Sequence, residues 1–389
     1  MVSDHQEKGV IPVVLSSSEE YSMYLPVILN AINKNSNQNN NYHFYILDSG
    51  ISHSSKHVIE AYISSFKHFS IEYIDVKAYI EKYKNLWHLT KHFSVATYIR
   101  FFIPALIPGV DKILYLDIDL LIKGDISELY SIDIGEYAVG AAVDACYERE
   151  TYYDKGGILE YNRNVVCLPD DYKVFNAGVL LINLKKWREL DITEKFIQRL
   201  KEIKTPRVLD QCVLNSVFCK GLVYDLPAEW NYQWHADLGQ MVYPTTSSKM
   251  NEVIDVYNQA KNNIKIIHYT TQTKPWNIYA DFDIHEYQLD EEYTPLWWYY
   301  ARETPFYEKI ILNNVKLMKK EIAENSGNHM MPQLNRPSVK RYLFGIIKVK
   351  KDQDRKRYYF LGLRFLKKIN NDNFKRVYLF NIPIYSKIK

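Results

Sequence analysis

The stretch LYLDIDLLIKGD, residues 114–125, places two carboxylates, Asp117 and Asp119, at the end of an apolar run. A carboxylate beside a buried strand is costly unless it is paired with a cation or bound to a metal. Residues two apart on a strand share one face in any case, and the turn that ends the strand also lets both carboxylates be directed at one divalent cation. The alternative is a pair of solvated or helix-capping aspartates. For the third carboxylate, Asp125, a turn or helix-cap role suffices.

A third ligand candidate is His268, which closes the apolar run of KIIHYTTQTKPW, residues 265–276. A histidine in this position is a hydrogen-bonded core residue or a metal ligand. Two carboxylates and one imidazole suit Mn²⁺ or Mg²⁺, and the nitrogen favours Mn²⁺. Such a cation usually bridges phosphates, which implies a nucleotide. The sequence contains neither a P-loop nor a GxGxxG motif that would hold a nucleotide in another way.

Strand and helix patterns alternate on both sides of this stretch, which predicts a parallel sheet covered by helices. Because open α/β sheets bind ligands at the carboxyl ends of their strands, Asp117 and Asp119 fall where a site is expected. The predicted strands are 11–17, 42–50, 69–76, 112–117, 137–145, 177–184 and 265–269. The predicted helices are 23–35, 52–66, 94–106, 208–218 and a further helical segment within 281–325.

Composition indicates a globular protein of a reducing compartment. The chain has 389 residues, of which 47% are hydrophobic and 14% aromatic, enough for a large core. Four scattered cysteines suggest neither a disulfide framework nor a structural zinc site. We find neither a signal-peptide pattern nor an apolar run of the roughly 18 residues that a membrane span needs. We therefore expect a cytoplasmic protein, peripherally associated with the inner face of the membrane.

The C-terminal tail repeats a basic and aromatic pattern, in YLFGIIKVKK (342–351), YFLGLRFLKK (359–368) and YLFNIPIYSK (378–387). Residues 336–389 hold 16 Lys and Arg against 3 Asp and Glu, or +13, so a total of +3 leaves −10 for residues 1–335. The alternation predicts amphipathic β-structure. We expect the tail to bind an anionic membrane surface. The same composition would also suit a contact in a homo-oligomer or the binding of nucleic acid. Of these partners, we expect no nucleic acid.

Seven segments occur here in the order of a known family. They are VVLSSSEEYSMYL (13–25), YILDSGIS (45–52), TKHFSVATYIR (90–100), LYLDIDLL (114–121), FNAGVLLINL (175–184), LDQCVLN (209–215) and HYTTQTKPW (268–276). On these the chain resembles the retaining glycosyltransferases of family 8. The resemblance implies an α/β fold of GT-A type: a Rossmann-like, mixed and mostly parallel sheet flanked by helices. It would occupy residues 1–280, followed by a helical extension and linker (281–335) and the basic repeat tail (336–389).

The resemblance also implies how a UDP-sugar donor would be held. Asp117, Asp119 and His268 would bind Mn²⁺, or Mg²⁺, on the donor diphosphate, and Lys274 would neutralise the departing diphosphate, a task that suits an ammonium. The remaining donor contacts that the resemblance implies are Ser16 and Ser18 at the base, Tyr21 stacked on the uracil, and Arg100 at the phosphate or sugar.

Around the donor sugar the resemblance places Asn176, Ala177, Asp210 and Gln211. Asp210 would bind sugar hydroxyls, and Gln211 would lie under the anomeric carbon. Because an amide is a poor nucleophile, front-face attack, in which the leaving diphosphate oxygen takes the acceptor proton, is at least as plausible as a covalent intermediate. The remaining donor or acceptor contacts would be His92, Asp144 and Thr271.

We therefore predict a Mn²⁺-dependent hexosyltransferase that moves galactose, or glucose, from a UDP-sugar to a lipopolysaccharide or other surface glycan. One alternative is a metal-dependent nucleotidyltransferase or phosphatase that uses the same aspartates. The other is a non-catalytic glycan- or membrane-binding protein with a transferase-like fold.

Overall fold

The computed structural model describes residues 9–87, 95–236, 245–270, 274–276 and 292–325, together with six strands between 338 and 388. His92, Thr271 and residues 326–337 of the predicted linker lie outside the described residues. Contacts divide the described chain into two compact units. One lies within residues 1–274 and 300–307, and the other within 275–299 and 308–389. The division at residues 280 and 335 stays a prediction.

The strands are β1 Val10–Ser17, β2 Asn41–Asp48, β3 Phe69–Asp75, β4 Lys112–Leu116, β5 Leu120–Ile122, β6 Val139–Val143, β7 Phe175–Asn183, β8 Val223–Asp225, β9 Tyr232–Gln233, β10 Ile266–His268, β11 Ser338–Tyr342, β12 Ile347–Asp352, β13 Arg355–Phe360, β14 Leu363–Asn370, β15 Phe374–Leu379 and β16 Ile382–Ile388. The helices are α1 Leu25–Asn35, α2 His53–Ile63, α3 Lys77–Lys82, α4 Ile103–Leu106, α5 Ile126–Ser131, α6 Ala145–Tyr152, α7 Ile158–Tyr161, α8 Leu184–Glu189, α9 Ile192–Ile203, α10 Leu209–Phe218, α11 Ser248–Ala260, α12 Tyr293–Ala301 and α13 Tyr307–Asn325. Most of the predicted 94–106 helix is a 3₁₀ helix, Val95–Phe102, that leads into α4.

The main sheet has seven strands in the order β3-β2-β1-β4-β7-β6-β8. Strands β3, β2, β1 and β4 run parallel, and β7 runs antiparallel to both of its neighbours. The prediction of a mixed, mostly parallel sheet is confirmed. The central strands are continuous apolar runs that are buried along nearly their whole length, as expected when helices cover both faces of a sheet. Strand β3 lies at the edge and alternates exposed and partly buried residues.

A second sheet has three strands and includes β5, the strand that directly follows Asp119. Strand β10 pairs antiparallel with β5 and parallel with β9. The chain therefore leaves the main sheet after Leu116 and joins the small sheet at Leu120. Asp117 and Asp119 lie in the crossing between the two sheets. The register of the small sheet sets His268 opposite Leu120, the residue that follows Asp119.

Asp125 caps a helix, as predicted. It is the N-cap of α5, and its side chain accepts a hydrogen bond from the Ser127 N–H at 2.9 Å. Such a cap satisfies one of the free backbone donors at a helix start. Asp125 therefore contributes to local stability rather than to the site.

The tail forms a six-stranded sheet, β11 to β16, in which each strand pairs antiparallel with the next. Each repeat read in the sequence begins near the end of one strand and includes the following strand, so the three repeats correspond to three hairpins. Register shifts fall at equivalent places in the second and third hairpins, between Tyr358 and Tyr359 and between Val377 and Tyr378. Within the described residues, none of the helices combines the length and apolar character needed to cross a bilayer.

Candidate active site

Asp117, Asp119 and His268 come together at the crossing between the two sheets. One ligand atom from each residue lies within 4.8 Å of the others. His268 Nε2 is 3.3 Å from Asp119 Oδ1, and the imidazole is buried while both carboxylates are partly accessible. Two carboxylates and one imidazole fit Mn²⁺ or Mg²⁺, so the residues present suit a divalent cation.

Asp117 is held by three neighbours. Its Oδ1 accepts hydrogen bonds from the Tyr115 hydroxyl and from Arg100 Nη2, both at 3.0 Å, and its backbone N–H donates to the Gly178 carbonyl at 2.8 Å. Because Oδ1 receives both donors, the second oxygen has no protein donor among the described residues. That oxygen is the one left for a metal.

Asp119 contacts two basic side chains, Lys274 and His268. Burial alone would raise the pKa of Asp119, but the charge and the hydrogen bond of Lys274, together with the neighbouring imidazole, outweigh burial and hold the pKa well below its ordinary value. Lys274 also donates to the Tyr269 carbonyl. The ammonium therefore lies where it would neutralise charge next to the cluster.

The backbone of Gly178 makes room for the imidazole of His268. A Cβ built on Gly178 would lie 2.1 Å from His268 Cε1 and under 3 Å from both ring nitrogens. Only glycine therefore permits this close approach. A glycine inside a strand pattern, as in FNAGVLLINL, is a sequence signal for such an approach, and it could have identified Gly178.

A second polar cluster surrounds Asp144, which is buried. Asp144 Oδ2 accepts from Asn176 Nδ2 at 3.0 Å and from Gln211 Nε2 at 2.9 Å, and Oδ1 accepts from Gln233 Nε2 at 2.9 Å. Gln211 Oε1 accepts in turn from the Ala177 N–H at 3.1 Å. The amide of Gln211 is therefore fixed at both ends.

Arg100 joins the two clusters. It is 2% exposed, its Nε lies 2.9 Å from Asp210 Oδ2, and it also donates to Asp117 and to the Ala177 carbonyl. Burial alone would lower the pKa of Arg100, but Asp210 and Asp117 hold it above its ordinary value. Burial raises the pKa of Asp210 to about 7, against the opposing effect of Arg100.

Helix α10 begins in a strained conformation beside these groups. The backbone φ of Leu209 is +48°, although the residue is not glycine and is buried. Non-glycine residues in this region store strain of roughly 1–3 kcal/mol, and such strain concentrates at functional sites. Leu209 directly precedes Asp210 and Gln211, so its conformation sets their direction.

The end of β1 and the turn after it carry the residues predicted to contact the base. Ser16 Oγ donates to the Ala96 carbonyl at 3.0 Å. Ser18 and Tyr21 lie in the turn before α1, where both are partly accessible, and the Tyr21 ring is 6.0 Å from that of Tyr24. Their predicted roles at the base stay predictions.

The structure thus gathers most of the predicted site residues into two adjoining clusters. Sequence reasoning missed Tyr115 and Gly178, which hold the Asp117–His268 cluster, and Gln233 and Asn231, which hold the amides. Apart from the glycine, none of these carries a spacing signal, because each acts through a neighbour.

The fold and the site define the protein as a GT-A glycosyltransferase. A solved structure of the galactosyltransferase LgtC, in complex with donor and acceptor sugar analogues, is 24% identical; the match covers 76% of this chain and 96% of that chain, with a TM-score of 0.60. The family model for glycosyl transferase family 8 matches residues 12–280. The chain belongs to this family, as the sequence resemblance indicated.

Two curated relatives illustrate the range of the family. General stress protein A of Bacillus subtilis is 28% identical over 273 residues, which are 69% of this chain and 88% of the relative. A lipopolysaccharide 1,3-galactosyltransferase of Salmonella typhimurium is 28% identical over 223 residues, or 56% of this chain and 59% of the relative.

We predict that Gly178→Ala displaces His268, because the new methyl group would occupy the space of the ring. Overpacking at a buried position costs about 1–3 kcal/mol of unfolding free energy, and loss of the histidine geometry should weaken Mn²⁺ binding about tenfold or more. Urea unfolding and calorimetric titration with Mn²⁺ measure both effects. Gly109→Ala is the control, because a Cβ there meets nothing within 4 Å. Wild-type Mn²⁺ affinity in Gly178→Ala would contradict the packing argument.

His235 lies beside the first cluster, in contact with Cys146 and Thr270. Its Nε2 is 3.3 Å from Cys146 Sγ and 2.9 Å from Thr270 Oγ1. Burial, assisted by the positive charges of Lys274 and Arg149, lowers the pKa of His235 to about 3. The folded state therefore keeps this imidazole neutral.

This pKa predicts a loss of stability in mild acid. Below the ordinary pKa of 6.5, the unfolded chain binds a proton at His235 and the folded chain does not. The unfolding free energy therefore falls as pH falls. Between about pH 7 and about pH 5 the loss should reach roughly 1–2 kcal/mol. His235→Gln should flatten this dependence in urea unfolding at the two pH values. His53→Gln, at an exposed histidine, should not flatten it. An equal pH dependence of the unfolding free energy in the two variants would refute its assignment to His235.

Proposed function

We propose that this glycosyltransferase is a retaining hexosyltransferase that moves galactose or glucose from a UDP-sugar to a lipopolysaccharide or other surface glycan, with Mn²⁺ as its cation. The observation that carries the proposal is the adjacency of an Asp-Asp-His cluster to a carboxylate and amide cluster, joined by Arg100. The first cluster suits a metal on a diphosphate, and the second suits the hydroxyl groups of a sugar.

At the diphosphate, Asp117, Asp119 and His268 would hold the cation. When bound, Mn²⁺ would neutralise charge that develops on the leaving diphosphate. Lys274 contributes a second positive charge at the same place. Arg100 is enclosed by carboxylates, and we assign it to the alignment of Asp117 and Asp210 rather than to direct contact with the donor.

At the sugar, Asp210 would accept hydrogen bonds from hydroxyl groups, and Gln211 would lie under the anomeric carbon. Because the Gln211 carbonyl oxygen already accepts the Ala177 N–H, we favour front-face attack over a covalent intermediate. The acceptor oxygen forms the bond to the anomeric carbon as the bond to the diphosphate oxygen breaks. The acceptor proton passes to that leaving oxygen, so that atoms and charge balance.

The acceptor class is inferred from relatives. The Salmonella typhimurium relative is named a lipopolysaccharide 1,3-galactosyltransferase, and an Escherichia coli relative a lipopolysaccharide 1,2-glucosyltransferase. We favour galactose over glucose as the donor sugar. His92, Asp144 and Thr271 are proposed contacts of the donor sugar or acceptor.

The test is donor hydrolysis by the full chain with Mn²⁺ and a panel of UDP-sugars. We expect UDP release with UDP-galactose or UDP-glucose, and a loss of about a hundredfold or more in kcat/KM for Asp119→Ala, because charge stabilisation at a reacting group is worth several kcal/mol. Asp125→Ala is the matched control, since this third aspartate of the same stretch caps α5 and accepts from the Tyr42 hydroxyl but does not belong to the Asp-Asp-His cluster. No release with any donor would contradict the proposal, and release of pyrophosphate from nucleoside triphosphates would favour a nucleotidyltransferase.

We also propose that the tail sheet binds an anionic membrane surface. Its register sets Lys350 opposite Arg357 and Arg357 opposite Lys367. Like charges that face each other across strands are destabilising unless an anion offsets them. The neighbouring positions Val349 and Tyr358 fall on the other face of the sheet. By residue type, the paired positions 350, 357 and 367 are thus basic, and the adjacent paired positions 349 and 358 are valine and tyrosine.

We predict that the triple variant Lys350→Gln, Arg357→Gln, Lys367→Gln loses binding to vesicles of phosphatidylserine and phosphatidylcholine. At about 1 kcal/mol per basic residue near the surface, the affinity should fall roughly a hundredfold in a sedimentation assay. The control changes three exposed lysines of the first unit, Lys195, Lys201 and Lys220, to glutamine. The proposed membrane-binding surface would be refuted if the two triple variants bound the vesicles equally. It would also be refuted if the wild type bound neutral vesicles as well as anionic ones.

A further inference from the structure

A chain of buried side chains connects the predicted metal ligand His268 to the cluster around Gln211. His268 Nδ1 is 2.8 Å from Asn231 Oδ1, and Asn231 Nδ2 donates to Asn176 Oδ1 at 2.9 Å. Asn176 Nδ2 then donates to Asp144 Oδ2 at 3.0 Å. Asn231 is 0% exposed and the other members are at most 6% exposed, so water does not compete for these bonds.

One backbone group fixes the direction of every bond in this chain. The Gly178 N–H donates to Asn176 Oδ1 at 2.9 Å, and a backbone N–H cannot act as an acceptor. The oxygen of Asn176 is therefore an acceptor there, and the amide of Asn231 must present its nitrogen to that oxygen. Asn231 then presents its own oxygen to His268.

The consequence for His268 is a defined tautomer. Since Asn231 Oδ1 only accepts hydrogen bonds, Nδ1 of the neutral imidazole carries the hydrogen. The lone pair is then on Nε2, the nitrogen that lies 3.3 Å from Asp119 Oδ1. A second bond that fixes the ring and its tautomer is the usual way in which proteins prepare a histidine for a metal.

We infer that Asn231 is a positioning residue that holds His268 in the Nδ1–H tautomer with Nε2 directed at the metal position. Through Asn176 the same residue aligns the amide of Gln211, which lies 3.3 Å from Asn176 Nδ2. One series of hydrogen bonds, with fixed donors and acceptors, thus connects the metal-binding half of the site to the sugar-binding half. The role of Asn231 in metal binding rests on the proposed function, whereas its role in fixing the His268 tautomer does not.

Two variants at this position separate positioning from packing. Asn231→Leu is close in volume but offers no acceptor, so His268 should revert to the Nε2–H tautomer and lose its direction. Asn231→Asp keeps an acceptor for the Nδ1 hydrogen and should rescue the tautomer. Asn215→Leu is the matched control. Asn215 is a similarly buried amide, 1% exposed, that bonds Tyr172 and the backbones of Phe175 and Gln211 but neither His268 nor Asn231.

The first measurement needs no metal. Long-range ¹H–¹⁵N correlation spectra of the full chain, labelled at histidine, report the protonated ring nitrogen at a pH about two units above the ordinary histidine pKa. His268→Gln assigns the signal. We expect Nδ1–H in the wild type, in Asn231→Asp and in Asn215→Leu, and Nε2–H in Asn231→Leu. An Nε2–H signal in the wild type, or an unchanged signal in Asn231→Leu, overturns the inference.

The second measurement is calorimetric titration with Mn²⁺ alone. We expect affinity about 10–100-fold weaker in Asn231→Leu, and affinity within about threefold of the wild type in Asn231→Asp and Asn215→Leu. Equal affinity in all four proteins overturns the positioning role. Absence of Mn²⁺ binding by the wild type, together with the expected tautomers, would instead contradict the proposed function and support the inference about Asn231.

Discussion

The passage of the chain from one sheet to another, between Leu116 and Leu120, is the constraint on which the site depends. Strand β4 belongs to the main sheet and β5 to the small one, so the residues between them cannot continue either ladder. Their backbone is held from both sides, since the Asp117 N–H donates to Gly178 and the Tyr269 N–H donates to the Asp119 carbonyl. The crossing is therefore rigid, although it is not part of a strand. Two aspartates in a flexible loop would lack this preorganisation.

The crossing also explains how acidic groups are tolerated close to the core. Four carboxylates, Asp117, Asp119, Asp144 and Asp210, lie in the two clusters, and Arg100 and Lys274 are the cations that contact them among the described residues. Neutral donors stabilise Asp144 without adding charge. Carboxylates thus exceed cations at the site, and a divalent cation would offset the difference. Because Arg100 contacts both Asp117 and Asp210, its guanidinium is enclosed rather than presented to a ligand.

Sequence reasoning identified the fold and the charged part of the site because both leave patterns in the chain. Apolar runs separated by helical segments predicted a parallel sheet covered by helices, and the family resemblance implied that the sheet is mixed. A carboxylate beside an apolar run marked Asp117 and Asp119. The separate small sheet was not predicted. Strands β5, β9 and β10 have three, two and three residues, and such short runs carry little periodicity. His268 was therefore proposed as a ligand from its place at the end of an apolar run and from the family resemblance, rather than from the register that sets it beside Asp119.

The hydrogen-bond roles of the neutral residues escape sequence reasoning for a further physical reason. An amide can donate or accept in either orientation, so the residue type alone does not say which role it takes. Asn231, Asn176 and Gln211 acquire definite roles only because one fixed donor, the Gly178 N–H, orients Asn176 and each amide then orients the next. The glycine that makes room for the imidazole thus also supplies the hydrogen bond that determines which imidazole nitrogen faces the carboxylates. Gly178, which carries no side chain, therefore determines both the packing of the imidazole and the direction of the hydrogen bonds at the site.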